Sequence, residues 1–227
     1  MKEISSTLLV MIFSSLFFCL AASAQDQSSA NFHISSFQFE LIDGRTVEAE
    51  RGTLLVPENR KVSDSRLIPI NFVRLSSTSE NPESPIFYLA PGPGGSGIQA
   101  ARSNYAFFAM LREISDVIVF DQRGTGETDL SCPERVFLPI DRSLPYEEVL
   151  SVFIWELQRC KEYWEVQGID LKGYTTIESA HDVNKLRAKL GINKISLVGS
   201  SYGSHYALTI LKYYGNTIDR VVITGIE

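Results

Sequence analysis

The sequence predicts an α/β fold in which a mostly parallel sheet carries helices on both faces. Three short apolar runs, at 85–90, 116–121 and 194–198, lack the alternation of a half-exposed strand. A glycine-containing turn follows each run, and a stretch of helical character follows two of the turns. Alternating buried strands and helices are typical of parallel sheets that are covered on both sides.

Extended segments and helices complete this prediction in chain order. An antiparallel entry to the sheet is predicted from Phe37–Leu41, Arg51–Val56 and Leu67–Leu75, and a last strand from Arg220–Ile226. Further helices are predicted at Ala100–Arg112, at about Tyr146–Trp164, and between a capping box of Thr175 with Glu178 and a stop at Gly191.

The amino terminus has the features of a secretory signal peptide. Lys2 precedes an apolar run from Leu8 to Leu20, and Ala22-Ser23-Ala24 forms an A-x-A cleavage site. An uncleaved anchor is the alternative, but a run of about thirteen residues is short for a span of roughly 20. We therefore expect residues 1–24 to be removed before Gln25, export of the single domain 25–227, and no stable membrane insertion after cleavage.

Composition and cysteine usage narrow the function classes. The chain has 227 residues and a net charge of −6, which argues against a nucleic-acid partner. Cys132 and Cys160 remain after the leader, and an even count in an oxidising compartment predicts one disulfide, with two free thiols as the alternative. No residues have metal-ligand spacing, so neither a metal nor a cofactor is expected.

A nucleophile candidate, Ser201, lies at a turn between the third apolar run and a helix. Gly199 and Gly203 bracket it in the pattern G-x-S-x-G, where a strained turn exposes the serine hydroxyl. Bulky side chains two residues to either side would clash in so tight a turn, and glycine removes that clash. The N–H of Tyr202, at the start of the helix, can stabilise a developing oxyanion.

Four stretches together resemble α/β-hydrolases of the prolyl aminopeptidase and tripeptidyl aminopeptidase family of serine peptidases. They are G-T-L-L-V-P-E-N at Gly52–Asn59, P-G-P-G-G-S-G at Pro91–Gly97, D-Q-R-G-T-G at Asp121–Gly126 and G-S-S-Y-G at Gly199–Gly203. The resemblance implies that Ser201 is the nucleophile and that Tyr202 and the glycine-rich loop supply the oxyanion hole.

Two features of the motifs bear on site assignments. The family usually has glycine where this chain has Pro91, which has no N–H, so Gly92 is predicted as the second oxyanion donor. Asp121 and Arg123 could contact substrate, but a structural role is favoured, as an ion pair or backbone anchor that holds the loop beside Ser201.

The resemblance also implies that the catalytic acid, the histidine and the substrate-recognising lid follow later strands. We expect the sheet to be truncated after about its sixth strand, and the chain to be a fragment with little or no activity. His33, His181 and His205 do not have the spacing of a general base. The last strand would then lie at an open edge, where self-association is expected.

The leading functional hypothesis is an exported serine hydrolase of the aminopeptidase type, acting on a peptide or on a small ester or amide substrate. A non-catalytic remnant of the fold that binds peptides or a partner protein is one alternative. An esterase or lipase on the same fold is another, because the fold alone does not select a substrate.

Overall fold

The computed structural model describes residues 31–128, 130–133, 136–139 and 141–226. The predicted signal peptide, residues 1–24, lies outside the described residues. Within them, no helix combines the length and the apolar character that crossing a bilayer requires.

One mixed sheet of seven strands organises the chain. Its spatial order is β1-β2-β3-β5-β4-β6-β7. Neighbours from β1 to β5 in this order are antiparallel, and neighbours from β5 to β7 are parallel. The predicted α/β class is confirmed, and the seven strands correspond to the seven extended segments predicted from the sequence. The strands are β1 Phe32–Glu40, β2 Thr46–Pro57, β3 Leu67–Leu75, β4 Ile86–Leu89, β5 Val117–Phe120, β6 Ile195–Ser200 and β7 Ile218–Thr224.

Five α-helices accompany the sheet: α1 Gly97–Ser103, α2 Tyr105–Arg112, α3 Tyr146–Val166, α4 Thr176–Lys189 and α5 Tyr202–Tyr214. Single 3-10 turns lie at Gly126–Thr128, Leu171–Gly173 and Gly215–Thr217. The single helix predicted at Ala100–Arg112 is wrong. Asn104 leaves helical geometry at φ −131° and ψ 50°, and so separates α1 from α2.

Helices cover both faces of the sheet, as predicted. On one face, α4 and α5 pack through Leu186 and Tyr206 against β-strand residues that include Phe72 and Phe87. On the other, Ile98 of α1 and Phe108 of α2 pack against strands β3 and β5. The hydrophobic core is thus divided into two layers by the sheet.

Helix α4 begins where the sequence predicts. The Thr175 hydroxyl accepts a hydrogen bond from the Glu178 N–H at 3.2 Å, and Gly191 follows the helix with φ +71°. The Glu178 side chain does not complete a capping box, because it pairs with Arg60 at 2.5 Å. This helix therefore uses its first turn both as a cap and as a tertiary contact.

Helix α3 is attached to the rest of the chain at its carboxyl-terminal end. Cys160 is its one buried residue and is disulfide-bonded to Cys132, with 5.4 Å between their Cα atoms. The Trp164 indole N–H donates to the carbonyl oxygen of Leu130 at 2.9 Å. The predicted disulfide is present.

Strand β7 lies at the edge of the described sheet, where it pairs with β6. Val222, at the middle of this strand, has 60% of its surface exposed. The position agrees with the predicted open edge, while self-association through that edge remains a prediction.

Candidate active site

Ser201 lies at the turn between β6 and α5, in a backbone conformation that L-residues rarely adopt. Its φ is 52° and its ψ is −129°, and no other described residue except glycine has a positive φ. Such a conformation costs about 1–3 kcal/mol and persists only where surrounding contacts impose it. The strand, the strained serine and the helix reproduce the predicted order.

Two close backbone approaches explain the glycines around Ser201. A Cβ on Gly199 would lie 2.6 Å from the carbonyl oxygen of Gly203. A Cβ on Gly203 would lie 2.3 Å from the carbonyl oxygen of Leu89, the last residue of β4. The start of α5 therefore sits against the end of β4, immediately before the glycine-rich loop.

The glycine-rich loop, Pro91–Gly97, continues from β4 at the same edge of the sheet. The Gly95 N–H donates to the Pro91 carbonyl oxygen at 3.2 Å, which closes the loop into a turn. Gly92 has φ +142°, and its N–H makes no hydrogen bond to another described residue. In parallel register, Leu89 is opposite Gly199, so the loop and Ser201 both follow the carboxyl ends of adjacent strands. In open α/β sheets ligands bind at such ends.

Tyr202, the predicted oxyanion donor, is the first residue of α5. Its hydroxyl lies 3.0 Å from the hydroxyl of Thr176, the first residue of α4. Its ring lies beside those of His205 and Tyr206. The residue after Ser201 is thus connected to the amino-terminal ends of both helices on this face of the sheet.

Asp121 anchors the end of the glycine-rich loop to the loop after β5. Its fully buried carboxylate accepts from the Ser96 hydroxyl at 2.5 Å, and from the N–H groups of Ile98 and Glu127 at 3.3 and 3.2 Å. A Cβ on Gly126 would lie 2.0 Å from this carboxylate, so glycine is required there. These contacts fit the structural role favoured from the sequence.

Arg123 lies in a buried ion network beyond the carboxyl end of β5. Its guanidinium donates to both carboxylate oxygens of Asp182 at 2.8 Å, and to the carbonyl oxygens of Glu58 and Gly173 at 2.6 Å. Arg60 also contacts Asp182, at 2.6 Å. The network joins α4 to the turn after β2 and to the loop after β5.

A second set of polar contacts extends this network towards the surface. The Glu58 carboxylate accepts from Arg66 at 2.5 Å and from the Tyr174 hydroxyl at 2.7 Å. Burial opposes ionisation of Glu58, but these hydrogen bonds hold its pKa below the usual value. Burial and the bond to Glu58 raise the pKa of Tyr174 to about 12. Both groups stay in their ordinary charge states near neutral pH.

The three histidines lie apart from Ser201 or face solvent. His181 bonds to the Tyr214 hydroxyl at 2.5 Å, at the far end of α5, about 20 Å from Ser201 by helix rise. His33 is on β1, five strand positions from β6, or about 24 Å. His205 is exposed on α5, beside the Tyr202 ring. His181 and His33 are therefore too distant from Ser201 to act as its general base.

Two polar residues of the site were missed by sequence reasoning. The Ser204 hydroxyl donates to the Ser201 carbonyl oxygen at 2.7 Å, which supports the strained turn. The Nε2 of Gln122 is buried without a hydrogen-bond partner in the described part of the chain. A serine three residues after Ser201 is a weak signal for the contact of Ser204, and nothing in the sequence indicates that Gln122 is buried.

Ser201 does not line the cavities of about 760 and 330 Å³ that the described residues form. One of about 760 Å³ lies over β1, β2 and β3 and is lined by residues such as Phe37, Glu50 and Arg74. Another, of about 330 Å³, borders the end of the glycine-rich loop and is lined by Ser96, Asp121 and Glu127, among others. The larger cavity is lined by residues of β1, β2, β3 and α2, none of which belongs to the glycine-rich loop or to the turn at Ser201.

No metal site is formed by the described residues, which contain no group of three or more His, Cys, Asp or Glu side chains able to hold an ion. The chemical groups gathered at the carboxyl edge are a serine hydroxyl and backbone N–H donors. Such groups suit nucleophilic attack with oxyanion stabilisation.

Comparison with known proteins gives one matching family model and several similar chains. A family model described as alpha/beta hydrolase fold matches residues 85–227. Tripeptidyl aminopeptidases of Streptomyces coelicolor and Streptomyces lividans are each 25% identical over 186 residues, which is 77% of this chain. The chain spans about a third of those relatives, 34% and 35% of their lengths. A solved structure of a proline iminopeptidase-related protein from Thermus thermophilus is 19% identical with a TM-score of 0.45, covering 75% of this chain and 43% of that one.

Proposed function

Since the chain belongs to the α/β-hydrolase family, we propose that it derives from an exported serine hydrolase of the aminopeptidase type, with Ser201 as the nucleophile. The observation that best supports this is the positive φ of Ser201 between β6 and α5. In the proposed reaction the Ser201 hydroxyl attacks the carbonyl carbon of a peptide, or of a small ester or amide. An acyl-enzyme forms, the amine or alcohol leaves, and water then releases the acyl group.

The oxyanion hole is proposed to consist of the N–H groups of Tyr202 and Gly92. The Tyr202 N–H belongs to the first turn of α5, where helix geometry leaves it without a helical acceptor. The contact between Tyr202 and Thr176 supports a fixed orientation of that turn. Each donor of this kind contributes about 10²- to 10³-fold in rate.

We propose that the 227-residue chain reacts slowly on its own. The positions of the histidines support this proposal: His181 contacts the far end of α5, His33 lies on β1, and His205 is exposed on α5.

The aminopeptidase type is supported by the two tripeptidyl aminopeptidases that match the chain. The proposed substrates are peptides from which short amino-terminal pieces are released. Export is supported by the disulfide between Cys132 and Cys160. Expression with the intact leader in a bacterium, followed by mass spectrometry of the exported protein, should identify a chain that begins at Gln25.

The nucleophile is tested by incubating the purified chain with a fluorophosphonate probe. We expect slow labelling, located at Ser201 by peptide mass spectrometry and lost in Ser201→Ala. Labelling equal to that of the Ser201→Ala control after long incubation would contradict the assignment of the nucleophile. Fast labelling, comparable to that of active serine hydrolases, would contradict the proposed low activity.

A binding remnant is a second candidate, favoured by the positions of the three histidines. Calorimetry with a tripeptide amide separates the two functions. Binding to the wild type and to Ser201→Ala with no labelling by the probe supports the remnant. Cleavage of chromogenic esters without cleavage of peptide amides would favour an esterase instead.

A further inference from the structure

Helix α3 presents an apolar stripe to solvent. Five apolar or aromatic residues of this helix each lie three or four positions from another member of the set, so they share one face. Their side chains are between 37% and 74% exposed. Soluble proteins normally bury such a face, and a contiguous exposed apolar surface marks an interaction site. We call this surface the α3 stripe; it consists of Tyr146, Leu150, Phe153, Ile154 and Leu157.

Among the described residues, the contacts to this face lie at its continuation. Cys160 and Trp164, which follow the α3 stripe on the same side of the helix, contact the segment 130–132 through the disulfide and the indole hydrogen bond. The Val136 N–H donates to Glu156 at 3.2 Å, so the segment near 136 lies along one flank. These contacts fix the helix with the α3 stripe directed outwards.

We propose that a second copy of this chain binds the α3 stripe, with the two α3 helices antiparallel about a two-fold axis near Ile154. In such an isologous interface each residue meets a position at equal sequence distance on the other side of the axis. Ile154 then lies against its own equivalent, and Leu150 and Leu157, four and three residues from Ile154 on opposite sides of the axis, pack next to it. The interface is apolar at its centre.

Charge complementarity supports this arrangement. Glu147 and Lys161 each lie seven residues from Ile154, on the same exposed flank of α3. The antiparallel pairing brings Glu147 beside Lys161 of the second copy, twice by symmetry. A parallel pairing would place like charges opposite each other, which is unfavourable. Lys161 also contacts Glu165 of its own helix at 3.5 Å. This exposed pair is weak, so it competes little with the pairing of Lys161 with Glu147 of the second copy.

Other occupants fit these residues less well. An anionic membrane surface is disfavoured, because Glu147 and Glu148 flank the α3 stripe and the chain has a net charge of −6. The edge of β7 is the competing surface for self-association, since Val222 is exposed there. The two surfaces can be distinguished by mutation.

Sedimentation equilibrium of the full chain over a range of concentrations tests the proposal. We expect a monomer–dimer equilibrium in which Leu157→Glu raises the dissociation constant at least about thirtyfold. Trp155→Glu is the matched control: it introduces the same charge on the opposite, exposed face of α3, and we expect little change. Circular dichroism establishes that each variant keeps its helices.

Two results of this experiment would overturn the proposal. One is a wild-type chain that stays monomeric at all concentrations tested. The other is an association that is abolished by Val222→Glu and unaffected by Leu157→Glu, since that pattern assigns the interface to the edge of the sheet.

A charge exchange tests the antiparallel orientation. Glu147→Lys and Lys161→Glu should each weaken the dimer by roughly threefold to tenfold, because each creates two like-charge contacts. The double variant should recover most of the lost affinity, since the pairs are restored with opposite polarity. A double variant whose dimer is no tighter than the dimer of either single variant would refute the proposed pairing.

Discussion

Helix α3 buries one of its 21 residues, whereas α4, with 14 residues, buries six. Three of the six are polar: Glu178, Ser179 and Asp182. Conversely, the apolar residues of the α3 stripe are exposed. The comparison shows that apolar content alone does not determine which helix is buried; what matters here is whether each side chain finds a partner.

Buried charges make α4 an integral part of the fold. Removing an ion from water costs several kcal/mol, which is offset only where geometry and additional hydrogen bonds are favourable. Arg60, which follows β2, and Arg123, which follows β5, provide the favourable geometry and the hydrogen bonds for Asp182. Helix α3 instead depends on one covalent bond and a few hydrogen bonds at one end.

The largest expected effect comes from breaking the ion network of α4. Arg123→Met leaves Asp182 and Glu178 short of a cation in a buried site, and should lower the free energy of unfolding by about 3–5 kcal/mol. Arg220→Met is the control, because Arg220 forms an exposed pair with Glu83 at 3.0 Å and should cost at most about 1 kcal/mol. Urea denaturation measures both. Equal losses for the two variants would contradict the distinction drawn between α3 and α4.

Removal of the disulfide should affect mainly α3. Replacing Cys132 and Cys160 by serine frees a loop with a sequence separation of 28, and should cost about 3 kcal/mol in the chain-entropy model. Hydrogen exchange should show lost amide protection in α3 and retained protection in α4. Simultaneous loss in both helices would mean that α3 is coupled to the core more tightly than its burial suggests.

A smaller effect is expected at the start of α4. Thr175→Ala removes the hydroxyl that accepts from the Glu178 N–H, and should lower the free energy of unfolding by about 1 kcal/mol. Thr209→Ala makes the same exchange inside α5, where the hydroxyl bonds only to the carbonyl of His205, and alanine favours the helix. Thermal unfolding of both variants decides whether the cap, rather than the residue type, is responsible.

The smallest effect concerns pH. Burial and, secondly, nearby Arg60 lower the pKa of His181 below its ordinary 6.5. As pH falls through 6.5, the unfolded chain therefore binds a proton before the folded chain does, and stability decreases on the acid side. His181→Gln should lack this decrease. Denaturation curves at several values between about pH 5 and 8 test it; parallel profiles for the two proteins would contradict the pKa shift.

Local signals in the sequence were sufficient for most elements. The apolar run that becomes β4 and the threonine cap of α4 are defined by neighbouring residues, so their positions could be predicted. The break at Asn104 was missed, although Ser103 and Asn104 are residue types that favour helix caps. The backbone angles of Asn104 mark the end of α1.

Long-range pairing explains what the sequence did not reveal about the site. The spacing of Gly199, Ser201 and Gly203 predicts a strained turn, and the backbone of Ser201 has that geometry. Arg60 and Asp182, however, are 122 residues apart in the chain, and Gln122 is buried because the loop after β5 packs against its neighbours. Partners of this kind depend on the tertiary arrangement, which local periodicity does not specify.

The Ser201 N–H donates to the carbonyl oxygen of Thr224 at 3.0 Å, which extends the pairing of β6 with β7 into the turn. The outermost described strand is thus connected directly to the backbone of Ser201. Any segment that pairs with the outer edge of β7, whether from this polypeptide or another, would shift β7. Through this hydrogen bond it would also shift the backbone of residue 201. Reactivity of this serine should accordingly respond to how the far border of the sheet is completed.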